Sequence, residues 1–182
     1  MPKTEEYEAA IGALDWTRLR DLWLAIKRRD TPGWEPGKAF EYLVLRAFEH
    51  GGAQVTWPYS VELLSEEVEQ IDGAVYYQDI RALIESKDSR ANVSFAPIAK
   101  VRSQLLRRPS GTIGVLFSTS DFTPSAKLLA SFALPQAILL WSGGEVEFAL
   151  ANENIADLLV LKHRKCIELA VPNYNVLERD VL

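Results

Sequence analysis

Two apolar runs joined by a polar turn constrain the fold of this chain more than any other feature. Residues 71–88 read IDGAVYYQDIRALIESKD, in which AVYY and ALI flank a turn near Gln78 and Asp79. This pattern predicts two antiparallel strands, near 71–77 and 81–86, within a larger sheet. Charged residues stand at the outer ends of both runs, where a purely structural hairpin does not need them.

These charged residues are predicted to converge. Antiparallel pairing brings Asp72 and Glu85 to the same edge of the sheet. Glu85 and Lys87 are two residues apart, so strand alternation points both side chains to one face. Two carboxylates beside an ammonium group can hold a hard divalent ion and stabilise a phosphate. The pattern therefore favours a metal site, with a solvated cross-strand salt bridge as the alternative.

Helical and extended patterns alternate along the rest of the chain. Apolar residues at spacings of 3 and 4 predict helices over residues 5–29, 38–50 and 94–108. TIGVLFST and AILLW are short apolar runs typical of buried strands, and FTPSAKLLASFAL between them predicts another helix. This order of elements predicts an α/β sandwich around a central mixed sheet.

Breaks in these patterns predict the domain organisation. Residues 1–36 are expected to form an N-terminal helical appendage, because DTPGWEPG interrupts the chain after the first helix. Residues 37–168 then form the main domain, and residues 169–182, with weak periodicity, form a C-terminal tail. SEEVEQ is interpreted as an acidic turn, and the glycine pair after AILLW as a hairpin turn.

Composition limits the classes of function. With 182 residues, 48% of them apolar, and a single cysteine, the chain can bury a core but forms no internal disulfide. No apolar stretch approaches the roughly 20 residues of a membrane span, and the acidic start lacks a secretion signal, so a cytoplasmic location is expected. The net charge of −5 disfavours a protein that binds nucleic acid by overall charge alone.

The charged hairpin resembles the PD-(D/E)XK nuclease superfamily. Its pattern is an aspartate on one strand and Glu-x-Lys on the next, here Ile71-Asp72-Gly73 and Ile84-Glu85-Ser86-Lys87. Over roughly residues 37–150 the chain resembles the Mrr-like restriction endonuclease branch. There a helix with an early glutamate, here Glu41, precedes the hairpin, and a strand, a helix and a final strand follow it. Ile71 departs from the proline of the pattern.

The resemblance implies a restriction-endonuclease-like αβα sandwich with a central mixed β-sheet, and a metal-dependent endonuclease that hydrolyses DNA. It implies Asp72, Glu85 and the backbone carbonyl of Ser86 as metal ligands. Lys87 is implied as the catalytic lysine and Glu41 as an accessory acid. The implied cofactor is Mg²⁺ or Mn²⁺ and the implied partner is DNA. A homodimer is expected by analogy, since two cuts in a duplex usually need two active sites.

Two other functions stay open. The acidic pI and the lack of an evident helix-turn-helix motif favour a catalytically inactive relative, which would serve as a binding or assembly module in a nucleic-acid-processing complex. The third reading is an unrelated α/β enzyme that acts on a small molecule. The net basic segment from Lys87 to Arg108 either follows a phosphate backbone, with Lys100 and Arg107 on one helix face, or is a solvated surface.

Overall fold

A five-stranded mixed sheet forms the centre of the computed structural model, which describes residues 4–178. Its strand order is β1-β4-β5-β6-β7, and β2 and β3 form a separate two-stranded sheet. The strands are β1 Gln54–Thr56, β2 Tyr59–Leu63, β3 Glu66–Ile71, β4 Gly73–Tyr77, β5 Ile80–Lys87, β6 Thr112–Ser118 and β7 Ile138–Trp141.

Seven α-helices and one short 3-10 helix occur within residues 4–178. They are α1 Thr4–Gly12, α2 Trp16–Arg28, α3 Lys38–His50, α4 Ala96–Leu105, α5 Pro124–Ser131, α6 Gly143–Asn152, α7 Ile155–Leu169 and the 3-10 helix Val176–Glu178. None of the described helices is long and apolar enough to cross a membrane.

The predicted hairpin lies at the centre of the sheet. β4 and β5 pair antiparallel, with Gly73 opposite Ile84 and Tyr77 opposite Ile80. β5 then pairs parallel with β6, and β6 pairs parallel with β7. This combination of directions confirms the predicted mixed sheet.

Both faces of the sheet are covered by helices, which explains why β6 is almost entirely apolar. In β6, Val115 packs into a core with α1, α2, α3, α6 and α7, while Leu116 packs into a second core with α4 and α5. Adjacent residues of a strand point to opposite faces, so one continuous apolar run serves both cores. The predicted α/β sandwich is confirmed.

The single helix predicted over residues 5–29 is wrong, because it is two helices. Asp15 interrupts it: its backbone is extended, and its side chain accepts a hydrogen bond of 2.9 Å from the backbone N–H of Arg18. An aspartate in this position caps a new helix. The apolar spacing still continues, since Leu19, Trp23 and Ile26 of α2 are buried.

Two predicted turns are also wrong. SEEVEQ spans residues 65–70, and all of it except Ser65 belongs to strand β3. The turn lies at Leu64 and Ser65, which have φ values of 52° and 65°. The glycine pair after AILLW begins helix α6 instead of a hairpin. Ser142 and Glu145 form a capping box there, in which each side chain binds the backbone N–H of the other.

The N-terminal helices share a core with the main sheet. Ile11, Leu19, Trp23 and Ile26 belong to the same buried cluster as α3. The division of the chain at residues 36 and 168 stays a prediction. The first three residues of the predicted appendage and residues 179–182 of the predicted tail lie outside the described residues.

A buried ion pair joins α6, α7 and the segment after α7. The Nζ of Lys162, which is fully buried, lies 2.6 Å from Oε1 of Glu145 and donates a hydrogen bond to the carbonyl of Tyr174. The same Glu145 oxygen accepts from the backbone N–H of Val176 at 3.1 Å. Burial lowers the pKa of Lys162, and the charge of Glu145, which raises it, offsets this effect only in part. The pair therefore fixes the C-terminal segment to the core.

Lys162→Met is expected to destabilise the protein by about 3–5 kcal/mol, because it leaves the Glu145 carboxylate buried without its counter-ion. Urea unfolding followed by circular dichroism measures the loss. Lys165→Met is the matched control, since Lys165 lies on the same helix and pairs with the half-exposed Glu168. Equal unfolding midpoints for the two variants would contradict a structural role for the buried pair.

Candidate active site

Asp72 lies in the single-residue link between β3 and β4. Its Oδ2 accepts a hydrogen bond of 2.8 Å from the backbone N–H of Ser86. Gly73 makes this position possible, because a Cβ there would lie 2.6 Å from the side chain of Leu45 and 3.0 Å from the carbonyl oxygen of Thr56. The chain thus packs tightly against α3 at the residue that follows the aspartate.

Glu85 is the most deeply buried acid of the site, with 1% of its surface exposed. Lys87 Nζ lies 2.5 Å from its Oε1, and Lys100 Nζ lies 2.6 Å from its Oε2. One lysine comes from the same strand and the other from α4. Both carboxylate oxygens therefore have a cationic partner. Because Glu85 is buried, these contacts differ from the solvated salt bridge that was the alternative interpretation.

Asp72 and Glu85 repel one another. Burial raises the pKa of Asp72, and the charge of Glu85 raises it further, against the hydrogen bond from Ser86. Burial lowers the pKa of Lys87, but its contact with Glu85 and the charge of Asp72 outweigh that effect and leave it raised. The structure thus brings the predicted pair of acids and the predicted lysine into one electrostatic unit.

Glu41 joins this unit from α3. It is buried, and Lys38 donates hydrogen bonds of 2.8 and 2.9 Å to its two carboxylate oxygens. Burial and the charge of Asp72 raise the pKa of Glu41 to about 7, with a smaller effect from Glu85. The accessory acid implied by the resemblance therefore lies within electrostatic range of both predicted metal ligands.

The donor set fits a hard divalent cation. Mg²⁺ typically binds one or two protein carboxylates and completes its shell with water and substrate phosphate. The half-buried Asp72 and the buried Glu85 supply two such carboxylates close enough to repel, so a cation between them would relieve the repulsion. Within residues 4–178 no group of three or more His, Cys, Asp and Glu side chains is arranged to hold a metal.

The restriction endonuclease family model Mrr_cat matches residues 35–148, which is more than half of the chain. The chain belongs to this family. The match confirms the resemblance to the Mrr-like branch, and it spans Glu41, Asp72, Glu85 and Lys87.

Two solved structures resemble the fold. AF1548, a protein of unknown function, has a TM-score of 0.50 and 19% identity, covering 62% of this chain and 65% of that one. MspJI restriction endonuclease, crystallised with a 27-mer oligonucleotide, has a TM-score of 0.44 and 20% identity, covering 88% of this chain and 37% of MspJI. This chain spans less than two thirds of either. At such identity the AF1548 match supports the fold alone. No curated protein matches the chain.

A cavity of about 290 Å³ opens beside the acids of this Mrr_cat domain. Glu41 and Asp72 line it together with Lys38, and α1 contributes Tyr7. Tyr7 stacks on Trp34 with ring centroids 4.9 Å apart. The N-terminal helix therefore forms part of the wall of the candidate site, a role that its sequence pattern did not reveal.

The basic segment after β5 has a different role from the one considered for it. Lys100 pairs with Glu85, and Arg107 and Arg108 both pair with the buried Glu69 of β3. Three of these cations thus compensate buried carboxylates. The predicted shared helix face of Lys100 and Arg107 is wrong, because α4 ends at Leu105 and Arg107 lies in the turn after it. The acidic partners of the two residues lie 15 and 38 residues away in the sequence and leave no local signal.

Gly73→Ala is expected to destabilise the protein by about 1–3 kcal/mol, because the added methyl group collides with Leu45. It should also displace Asp72 and reduce any activity that depends on it. Gly12→Ala is the control, since a Cβ at Gly12 meets no atom within 4 Å. Thermal unfolding of both variants measures the effect, and a Gly73→Ala protein as stable as wild type would refute the packing constraint.

Proposed function

We propose that the chain is a metal-dependent endonuclease that hydrolyses DNA phosphodiester bonds. The observation that carries this proposal is the convergence of Asp72 and Glu85, two mostly buried acids that repel each other, beside Lys87. Buried like charges cost stability and persist where function requires them. Membership of the restriction endonuclease family supports DNA as the substrate.

Each residue has a role in this proposal. Asp72, Glu85 and the backbone carbonyl of Ser86 bind Mg²⁺ or Mn²⁺, and Glu41 is the accessory acid. The bound ion supplies positive charge that stabilises the attacked phosphate and acidifies a bound water. The Lys87 side chain is 37% exposed, so its ammonium group can contact a phosphate oxygen while it remains beside Glu85. It then stabilises the negative charge that develops in the transition state.

Three lysines balance the three acids of the site, although the whole chain has a net charge of −5. Lys38 and Lys87 each lie within 3 Å of a site carboxylate, so an approaching phosphate meets ammonium groups beside the acids. Arg29 is a further cation close to Lys87, because it pairs with Asp88, the next residue in the chain. Burial and the positive charge of Arg90 lower the pKa of Arg29. This distribution supports binding of a polyanion near the site.

The homodimer and the cytoplasmic location remain predictions of the sequence. The inactive binding module remains the competing function, and an assay of cleavage separates the two.

Asp72→Asn and Lys87→Met are each expected to reduce DNA cleavage by about 10²–10³-fold or more, because the first removes a charged metal ligand and the second removes the positive charge that stabilises the transition state. Cleavage of supercoiled plasmid is measured with Mg²⁺, with Mn²⁺ and with EDTA, which should abolish it. Lys27→Met is the control, since Lys27 pairs with the half-exposed Glu147 of α6. A wild-type protein that cleaves no DNA with either metal would contradict the proposal and favour the inactive module.

Asp72→Asn is also expected to leave the free energy of unfolding equal or higher when no metal is present. The asparagine oxygen can still accept the hydrogen bond from Ser86, and the repulsion with Glu85 disappears. Urea unfolding in EDTA tests this. A large loss of stability would identify Asp72 as a structural ion-pair residue.

A further inference from the structure

The carboxylate of Glu85 is held by two lysines from different elements. Lys87 contacts Oε1 from β5, and Lys100 contacts Oε2 from α4 at 2.6 Å. Glu85 is 1% exposed, so water supplies little to either oxygen. The family pattern requires one lysine, and the second follows from the packing of α4 on the sheet.

Strand alternation explains why α4 reaches this carboxylate. Leu83 of β5 packs into the core that contains Ile98 and Val101 of α4, whereas Ile84 packs into the opposite core. Glu85 therefore lies on the same face as Leu83, the face that α4 covers. Lys100 lies between Ile98 and Val101 in the sequence of α4.

Helix α4 also holds the segment that carries Asp72. Gln104, one turn after Lys100, donates a hydrogen bond of 3.2 Å to the carbonyl of Gln70, two residues before Asp72. The same helix thus contacts both chain segments that supply the predicted metal ligands. This gives α4 a fixed position from which Lys100 can act on the site.

We propose that Lys100 is a positioning residue of the candidate metal centre, a proposal that rests on the function proposed above. Its ammonium group fixes Oε2 of Glu85 and so keeps Oε1 directed to the side of Lys87. The last torsion of a glutamate is broad, so a carboxylate held at one oxygen only can rotate. Groups that hydrogen-bond a metal ligand typically contribute 10–100-fold to metal affinity or activity.

Two other roles for Lys100 predict different effects of its removal on metal binding and on DNA binding. If it were only a competing cation, its removal would tighten metal binding, because a positive charge beside the site repels a divalent ion. If it were a contact to the DNA backbone, its removal would weaken DNA binding and lower the dependence of that binding on salt by about one unit of slope. Positioning predicts weaker metal binding with an unchanged salt dependence.

The first experiment measures Mn²⁺ binding by calorimetry for the full chain. Lys100→Met is expected to bind Mn²⁺ at least about tenfold more weakly than wild type, and Lys100→Arg, which keeps a donor toward Glu85, to recover most of this loss. Arg102→Met is the matched control, because Arg102 is exposed on the same helix and forms no ion pair within residues 4–178. Unchanged or tighter binding by Lys100→Met overturns the proposal.

The second experiment measures DNA binding in EDTA over a range of salt concentrations, together with kcat and KM for cleavage. Lys100→Met should keep the salt dependence of wild type and lose kcat with little change in KM. A lower salt slope with unchanged Mn²⁺ affinity would assign Lys100 to the DNA backbone instead. Circular dichroism melting of both Lys100 variants verifies that they are folded.

Failure of this inference is distinguishable from failure of the proposed function. Wild-type protein with no Mn²⁺ binding that depends on Asp72 would refute the metal-dependent function, and the role of Lys100 would fall with it. Mn²⁺ binding that is lost in Asp72→Asn but intact in Lys100→Met would refute the role of Lys100 alone.

Discussion

The register between β4 and β5 is the constraint on which the rest of the site depends. Gly73 pairs with Ile84, which brings Asp72 to the level of Glu85 and Ser86. Because side chains alternate along a strand, a slip of one residue would send Glu85 to the other face of the sheet. The two-residue turn at Gln78 and Asp79 sets this register, with Gln78 at a φ of 51°.

The register places acids where they oppose folding. Glu85 is buried near the half-buried Asp72, and Glu41 adds a third carboxylate whose pKa rises to about 7. Three lysines limit the cost. Lys38 lies on α3, Lys87 on β5 and Lys100 on α4, so each layer of the sandwich supplies one counter-ion. In the proposed function, this arrangement serves to hold a divalent ion with the acids and to present cations to a phosphate.

Local signals in the sequence predicted the parts of the fold that depend on neighbouring residues. The bounds of α3 agree with the predicted 38–50, because apolar periodicity and the stop at Gly51 are both local. Errors arose where a cap or a tight turn overrode the pattern, as at Asp15, at Leu64 and at Ser142. At Asp15 a capping side chain divided a predicted helix. At Leu64 the turn came before the acidic residues, and at Ser142 a capping box began a helix where a turn was predicted.

The sequence by itself determined that Asp72, Glu85 and Lys87 share one edge of a hairpin, because strand period and turn length follow from local residues. It also carried the family pattern. Only the tertiary structure decided that Lys100 contacts Glu85, that Lys38 contacts Glu41, and that α1 lines the adjacent cavity. These contacts depend on how helices pack on a sheet, and packing joins residues that no period or spacing along the chain relates.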